Sequence, residues 1–180
     1  PHGGVILCHK VHARQIDRAV FPGTQGTPSL SLVAGKAVCF QRATTASFVE
    51  IQQATLANAR ALCARLAAQG YRPVTGGTEN HMVLLDLRPK GLKGNAAEAA
   101  LEAVGILVNR NLIPFDPETT LVTSGLRLGT PSISVRGMRQ PEVEQIAELI
   151  DRTLSTKDET TRLEVRGAVE RLCRAFPIKI

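Results

Sequence analysis

The chain has 180 residues, a formal net charge of +6 and 43% apolar residues, which fits one globular domain of ordinary size with a piece of a second. Five Phe, one Tyr and no Trp argue against a base-stacking platform, and the scattered Lys and Arg form no nucleic-acid patch, although the positive charge suits small anionic ligands. No apolar run can span a bilayer and no signal-peptide pattern is present, so neither nucleic acid nor membrane is an expected partner.

The chain opens with Pro1-His2-Gly3-Gly4 running straight into Val5-Ile6-Leu7-Cys8, a buried-strand pattern. An opening in mid-element, with no initiator Met and no polar tail, reads as a fragment of something longer. Cys8, His9 and His12 crowd together, but three ligands of mixed geometry do not make a zinc site, and no metal is expected. Cys8, Cys39, Cys63 and Cys173 form no C-x-x-C pair, which fits reduced thiols and a cytoplasmic protein.

His12 to Ala19 predicts a short helix with Ile16 inward. Phe21-Pro22-Gly23-Thr24-Gln25-Gly26-Thr27-Pro28 is dense in turn formers and must be an ordered loop or a linker. A glycine-bearing loop feeding a helix start offers free N–H groups and a favourable dipole to an anion, and a plain surface turn has the same composition. Ser29 to Phe40 predicts a buried helix. Ala46 to Gln69 predicts a longer one, with Phe48, Ile51, Thr55, Ala59, Leu62, Cys63 and Leu66 inward and Gly70 as its stop.

Tyr71 to Val74 predicts a strand, and Met82 to Leu87 a second one, apolar enough to be central. His81 reads as a hydrogen-bonded structural histidine rather than a base. Asn95 is the expected cap of a helix through Leu101, and Ile106 to Val108 predicts a short strand followed by Asn109-Arg110-Asn111. The two asparagines offer amides able to read a heterocycle edge, or simple turn chemistry.

Thr123-Ser124-Gly125-Leu126-Arg127-Leu128-Gly129-Thr130-Pro131 alternates apolar residues around Arg127, as in a strand with one buried face. Arg127 then points away from that face, in the company of Thr123 and Thr130, where Gly125 and Gly129 leave room. Its guanidinium either grips a carboxylate or phosphate with two hydrogen bonds or sits in a structural ion pair. Pro131 opens a short helix ending near Gly137. Pro141 opens another, with Val143, Ile146, Ala147, Ile150 and Leu154 in one stripe. After the polar break Lys157-Asp158-Glu159 a last helix covers Thr160 to Arg174, with Leu163, Val169, Leu172 and Cys173 inward. Helices alternating with short strands read as an α+β or α/β layer arrangement.

Four motifs carry a resemblance. The loop from Phe21 to Pro28 resembles the F-P-G-x-Q-G-G-P loop of serine hydroxymethyltransferases. Gly76-Gly77-Thr78-Glu79-Asn80-His81 with Leu85-Asp86-Leu87-Arg88 is similar to that family's G-G-T-[DN]-N-H strand entry. Val108-Asn109-Arg110-Asn111 with Ile113-Pro114-Phe115-Asp116-Pro117 resembles its V-N-K-N…P-F-D-P element. Thr123 to Pro131 is similar to its T-S-G-[IL]-R-[IL]-G-T-P signature.

The resemblance implies the C-terminal part of a fold-type-I pyridoxal-phosphate enzyme that converts serine and tetrahydrofolate to glycine and methylene-tetrahydrofolate. It places residues 1–40 at the end of the large cofactor domain with its linker, and residues 41–180 in the small domain. It assigns Arg127 to the amino-acid carboxylate, Gly26 and Thr27 to the cofactor phosphate of a neighbouring subunit in a homodimer, Asn111 to the folate pterin and Phe21 to folate across the dimer interface.

Two departures from the family pattern matter: Thr27 replaces the second glycine of its loop, and His2 stands where it has arginine. The family's cofactor lysine precedes the position of Pro1, and Lys10, Lys36, Lys90, Lys93, Lys157 and Lys179 match no such role. No catalytic residue is therefore assigned, and the 180 residues alone are expected to be inert. The alternatives are a related fold-type-I enzyme such as a threonine aldolase, or a non-catalytic module partnering a separate cofactor-binding chain.

Overall fold

The computed structural model describes residues 3–178; His2 and Lys179 lie outside the described residues. The chain divides into two compact units, residues 1–49 and 50–180, with the division inside a helix.

In the first unit an irregular segment leads into α1 (Lys10–Arg18), a kinked turn at Ala19–Thr24 in which Phe21 is extended, and α2 (Leu30–Ala43). α3 (Ala46–Ala68) begins here, where the Thr45 hydroxyl accepts a hydrogen bond from the Phe48 N–H at 3.3 Å. Ile16 is half-buried, as its spacing predicts. The expected strand at Val5–Cys8 is absent: the segment is irregular and exposed. A strand exists only through a partner's hydrogen bonds, and no strand lies among the described residues of this unit. α2 forms as predicted, yet Leu30, Val33, Val38 and Phe40 are exposed. Helical hydrogen bonds are local, whereas burial needs a facing core, and neither α1 nor α2 contributes a buried residue.

The second unit holds the core. Its antiparallel sheet has the order β1-β2-β4-β3, with β1 at Arg72–Pro73, β2 at Met82–Asp86, β3 at Asn109–Asn111 and β4 at Gly125–Gly129. β2 is central, as its apolar run predicts, and β4 lies beside it. Register pairs Val83 with Leu128 and Leu85 with Leu126. These four side chains are buried together with Leu62 and Leu66 of α3, Ala97 and Leu101 of α4 (Gly94–Ala103), and Val143, Ala147 and Ile150 of α6 (Gln140–Ser155). α7 (Glu159–Ala175) packs on α6 through Val165, Ala168 and Leu172 against Leu149. The expected inward pair Leu163 and Cys173 is exposed instead: the stripe that α7 buries is narrow, Val165, Ala168 and Leu172.

Three boundaries move. Tyr71–Val74 contributes only Arg72–Pro73 to the sheet, and the third strand is Asn109–Asn111 rather than Ile106–Val108. The apolar run at 106–108 is a loop whose Ile106 and Val108 pack onto the core. Asn95 is not the cap of α4; Lys93 is, and the first amides of the helix are satisfied by the Thr123 and Val122 carbonyls, both at 2.9 Å. Phe48 is exposed, but Thr55, Ala59, Leu62, Cys63 and Leu66 are buried as the helical spacing predicts. No helix among the described residues is long and apolar enough to cross a membrane.

Candidate active site

Strand alternation sends Val83, Leu85, Leu126 and Leu128 into the helix-covered core, so their neighbours must emerge on the other side of the sheet. There Leu84 stands opposite Arg127, and Arg127 opposite Asn109; in the next row Asp86 stands opposite Gly125, and Gly125 opposite Asn111. Arg127 and Asn109 are exposed. Asn109 and Asn111 thus share this open face, while Arg110 between them turns to the helix side and pairs with Glu98 of α4 at 2.7 Å.

The charges on this side are not equivalent. The Asp86 carboxylate is 2% exposed and takes Arg88 at 2.8 Å, the Arg88 backbone N–H at 2.9 Å, and Arg72. Hydrogen bonds from the Arg88 guanidinium overcome the upward push of burial and, with Arg72, hold Asp86 well below the usual carboxylate range. Arg72 and Arg88 are therefore spoken for. Arg127 makes no ion pair among the described residues; its one hydrogen bond runs from Nη2 to Asn109 Oδ1 at 3.3 Å. Of the two readings the sequence left open, a structural ion pair finds no carboxylate here.

The neighbours of Arg127 differ from expectation. Thr123 and Thr130 are buried rather than beside it. The Thr130 hydroxyl donates to the Thr55 carbonyl at 2.8 Å, tying β4 to α3, and also lies 3.3 Å from the His81 carbonyl. His81 contributes that backbone oxygen, and its side chain is exposed. Gly129 does leave space, since a Cβ there meets nothing closer than 3.7 Å. Gly125 does not: a Cβ would lie 2.6 Å from the Asn111 carbonyl oxygen and 2.7 Å from Ile113. That glycine lets β3 approach β4. Beside Arg127, the loop Val74–Asn80 walls a cleft of about 710 Å3 over Met82 and Leu84.

β3 and the start of β4 are tied by a residue to which the sequence assigned no role. Asp116 accepts the N–H of Ile113 at 3.1 Å, of Glu118 at 2.9 Å and of Ser124 at 2.9 Å, with the Ser124 hydroxyl at 2.7 Å. Desolvation pushes its pKa up, but these donors, led by the Glu118 amide, win and hold it at about 2. The visible signal was an aspartate flanked by prolines, a turn-closing pattern. A second missed residue is Asn58, buried on the inward stripe of α3, whose amide donates to Ser134 Oγ at 2.8 Å and the Met138 carbonyl at 3.1 Å. A polar residue on an apolar stripe was its signal.

The other predicted site residues lie in the first unit. Phe21 is exposed. Gly26 and Thr27 lie in the irregular segment before α2, and their N–H groups make no backbone hydrogen bond there. Thr27 is not among the residues with positive φ, so replacing glycine costs no strain. Two amides with no backbone partner among the described residues, ahead of a 14-residue helix, fit a phosphate group.

By the family match of residues 7–150, this small antiparallel sheet, with helices on one face and on the other an arginine that meets no carboxylate among the described residues, is the C-terminal domain of a fold-type-I pyridoxal-phosphate transferase. The family model described as serine hydroxymethyltransferase matches residues 7–150. The chain belongs to the serine hydroxymethyltransferase family. It is 44% identical over 179 residues to a serine hydroxymethyltransferase of Myxococcus xanthus (strain DK1622), a match covering 99% of this chain and 43% of that protein. It is 45% identical over 177 residues to a serine hydroxymethyltransferase of Coprothermobacter proteolyticus, covering 98% of this chain and 43% of that protein. The chain therefore spans well under half the length of these curated relatives.

Proposed function

We propose that these 180 residues work as the C-terminal part of a cytoplasmic, homodimeric serine hydroxymethyltransferase, with residues 1–40 ending the large domain and residues 41–180 forming the small one. The observation that carries this reading is Arg127: an exposed guanidinium, fixed on a central strand and held by an amide alone, in a chain of this family. Its remaining N–H donors suit the two oxygens of the serine or glycine carboxylate. Asn111 Nδ2 is taken by the Leu112 carbonyl at 2.6 Å, which leaves Oδ1 to accept from a pterin N–H. Phe21 offers an apolar surface to folate across a dimer interface. Gly26 and Thr27 offer backbone N–H groups to a cofactor phosphate in the neighbouring subunit.

Pyridoxal phosphate, when bound, supplies the electron sink for cleavage of the serine side chain. This chain's part is substrate grip. Holding the carboxylate in a fixed plane orients the bond that breaks, and a desolvated ligand strengthens that hold. The four free cysteines support a reducing compartment.

The test is a paired assay of the complete enzyme with serine and tetrahydrofolate. Arg127→Ala should raise KM for serine by about 100-fold or more, the loss of two charge-assisted hydrogen bonds. The 180 residues alone should form no methylene-tetrahydrofolate. An unchanged KM in Arg127→Ala would overturn the assignment, and turnover by the 180 residues alone would overturn the division of labour.

A further inference from the structure

The strand arginines of this sheet are held by two different kinds of acceptor. Arg110, in β3, is held by the Glu98 carboxylate at 2.7 Å, and Arg72, in β1, by the Asp86 carboxylate. Arg127 faces an amide: Asn109 stands directly opposite it in the β3–β4 register, and its Oδ1 accepts from Nη2 at 3.3 Å. No other hydrogen bond holds the Arg127 guanidinium among the described residues.

We infer that Asn109 is a positioning residue for Arg127: it fixes the orientation of the guanidinium while leaving its charge unneutralised for an incoming carboxylate. An exposed arginine samples many rotamers, and a bidentate grip needs the planar fork presented in one of them. A carboxylate at position 109 would also restrain the fork, but would fill it with the wrong partner, as Glu98 does for Arg110. A neutral acceptor orients without competing. Asn111, two residues on along the same face, makes no bond to Arg127 and donates to the Leu112 carbonyl instead, so the two asparagines have separate tasks.

This inference rests on the reading that Arg127 receives the amino-acid carboxylate. The test compares Asn109→Asp, Asn109→Ala and Arg127→Ala in the complete cofactor-loaded enzyme. Glycine dissociation constants are read by calorimetry, beside KM for serine, KM for tetrahydrofolate and kcat. Asn109→Asp should weaken glycine binding by at least about tenfold, because a fixed negative charge now occupies the fork. Asn109→Ala should weaken it by about fivefold, the worth of one hydrogen bond. In both, KM for serine should follow glycine affinity, while KM for tetrahydrofolate and thermal stability stay near the parent values.

Glycine affinity within twofold of the parent in Asn109→Asp, with Arg127→Ala strongly impaired, overturns the inference and leaves the proposed function standing. If Asn109→Asp fails to fold, unchanged glycine affinity in Asn109→Ala has the same force. Equal losses in kcat, tetrahydrofolate KM and thermal stability would reduce Asn109 to a structural residue and also overturn it. Glycine binding untouched by Arg127→Ala removes the proposed function and this inference together.

Discussion

The two faces of the four-stranded sheet come from the same few residues and follow opposite rules. On one, Val83, Leu85, Leu126 and Leu128 are shielded by α3, α4 and α6, and their worth lies in volume and fit. On the other, Arg127 and Asn109 are exposed, and their worth lies in charge and orientation. Alternation along β4 couples the two, since the leucines that anchor the strand also aim the arginine. The lesson is that the open face is only as rigid as the buried face behind it.

The largest blow to the buried face is Leu126→Ala, which should destabilise the chain by about 3 kcal/mol in urea denaturation, the usual transfer-plus-cavity cost for a leucine that is 0% exposed. A loss under about 1 kcal/mol would mean that the core closes without it. Gly125→Ala comes next. Its Cβ meets the Asn111 carbonyl oxygen and Ile113 inside contact distance, so β3 must move off β4 at a cost of about 2 kcal/mol. Because β3 carries Asn109, this change should weaken glycine binding too, joining the two faces in one variant.

Acid probes the tie between β3 and β4. Asp116 has its folded pKa depressed from an ordinary 3.8 to about 2. Its contribution is complete above the unfolded value and disappears as pH falls from about 4 through about 2. Thermal melts across that window should show stability declining with acid, and Asp116→Asn should flatten the slope; an equally steep slope in the variant would place the acid sensitivity elsewhere. The smallest effect belongs to Gly129→Ala on the open face, where nothing lies within 3.7 Å of the new methyl. Stability should stay within about 0.5 kcal/mol of the parent.

Much of the helical architecture was readable because it is local. The stripe through Thr55, Ala59, Leu62 and Leu66, the stop at Gly70 and the prolines that open α5 (Pro131–Val135) and α6 each declare themselves within a few residues. β4 was legible for the same reason, since Leu126-Arg127-Leu128 alternating between two glycines suits little else. The misses share one cause. Val5–Cys8 has a strand's composition and no strand to pair with among the described residues, and Leu163 and Cys173 have a core stripe's spacing on a helix whose buried residues are Val165, Ala168 and Leu172. Ile106–Val108 is apolar because it packs onto the core, while the polar Asn109–Asn111 beside it supplies the strand.

By itself the sequence determined the family motifs, the helices and the side of β4 from which Arg127 projects, because periodicity and turn chemistry are properties of neighbouring residues. Only the tertiary structure decided what Arg127 meets there. The β3–β4 register, which chain order does not encode, set an amide opposite it, while tertiary contacts paired Asp86 with Arg72 and Arg88, and Glu98 with Arg110. Whether an arginine is compensated depends on groups brought together from distant parts of the chain, and those meet only when the sheet forms.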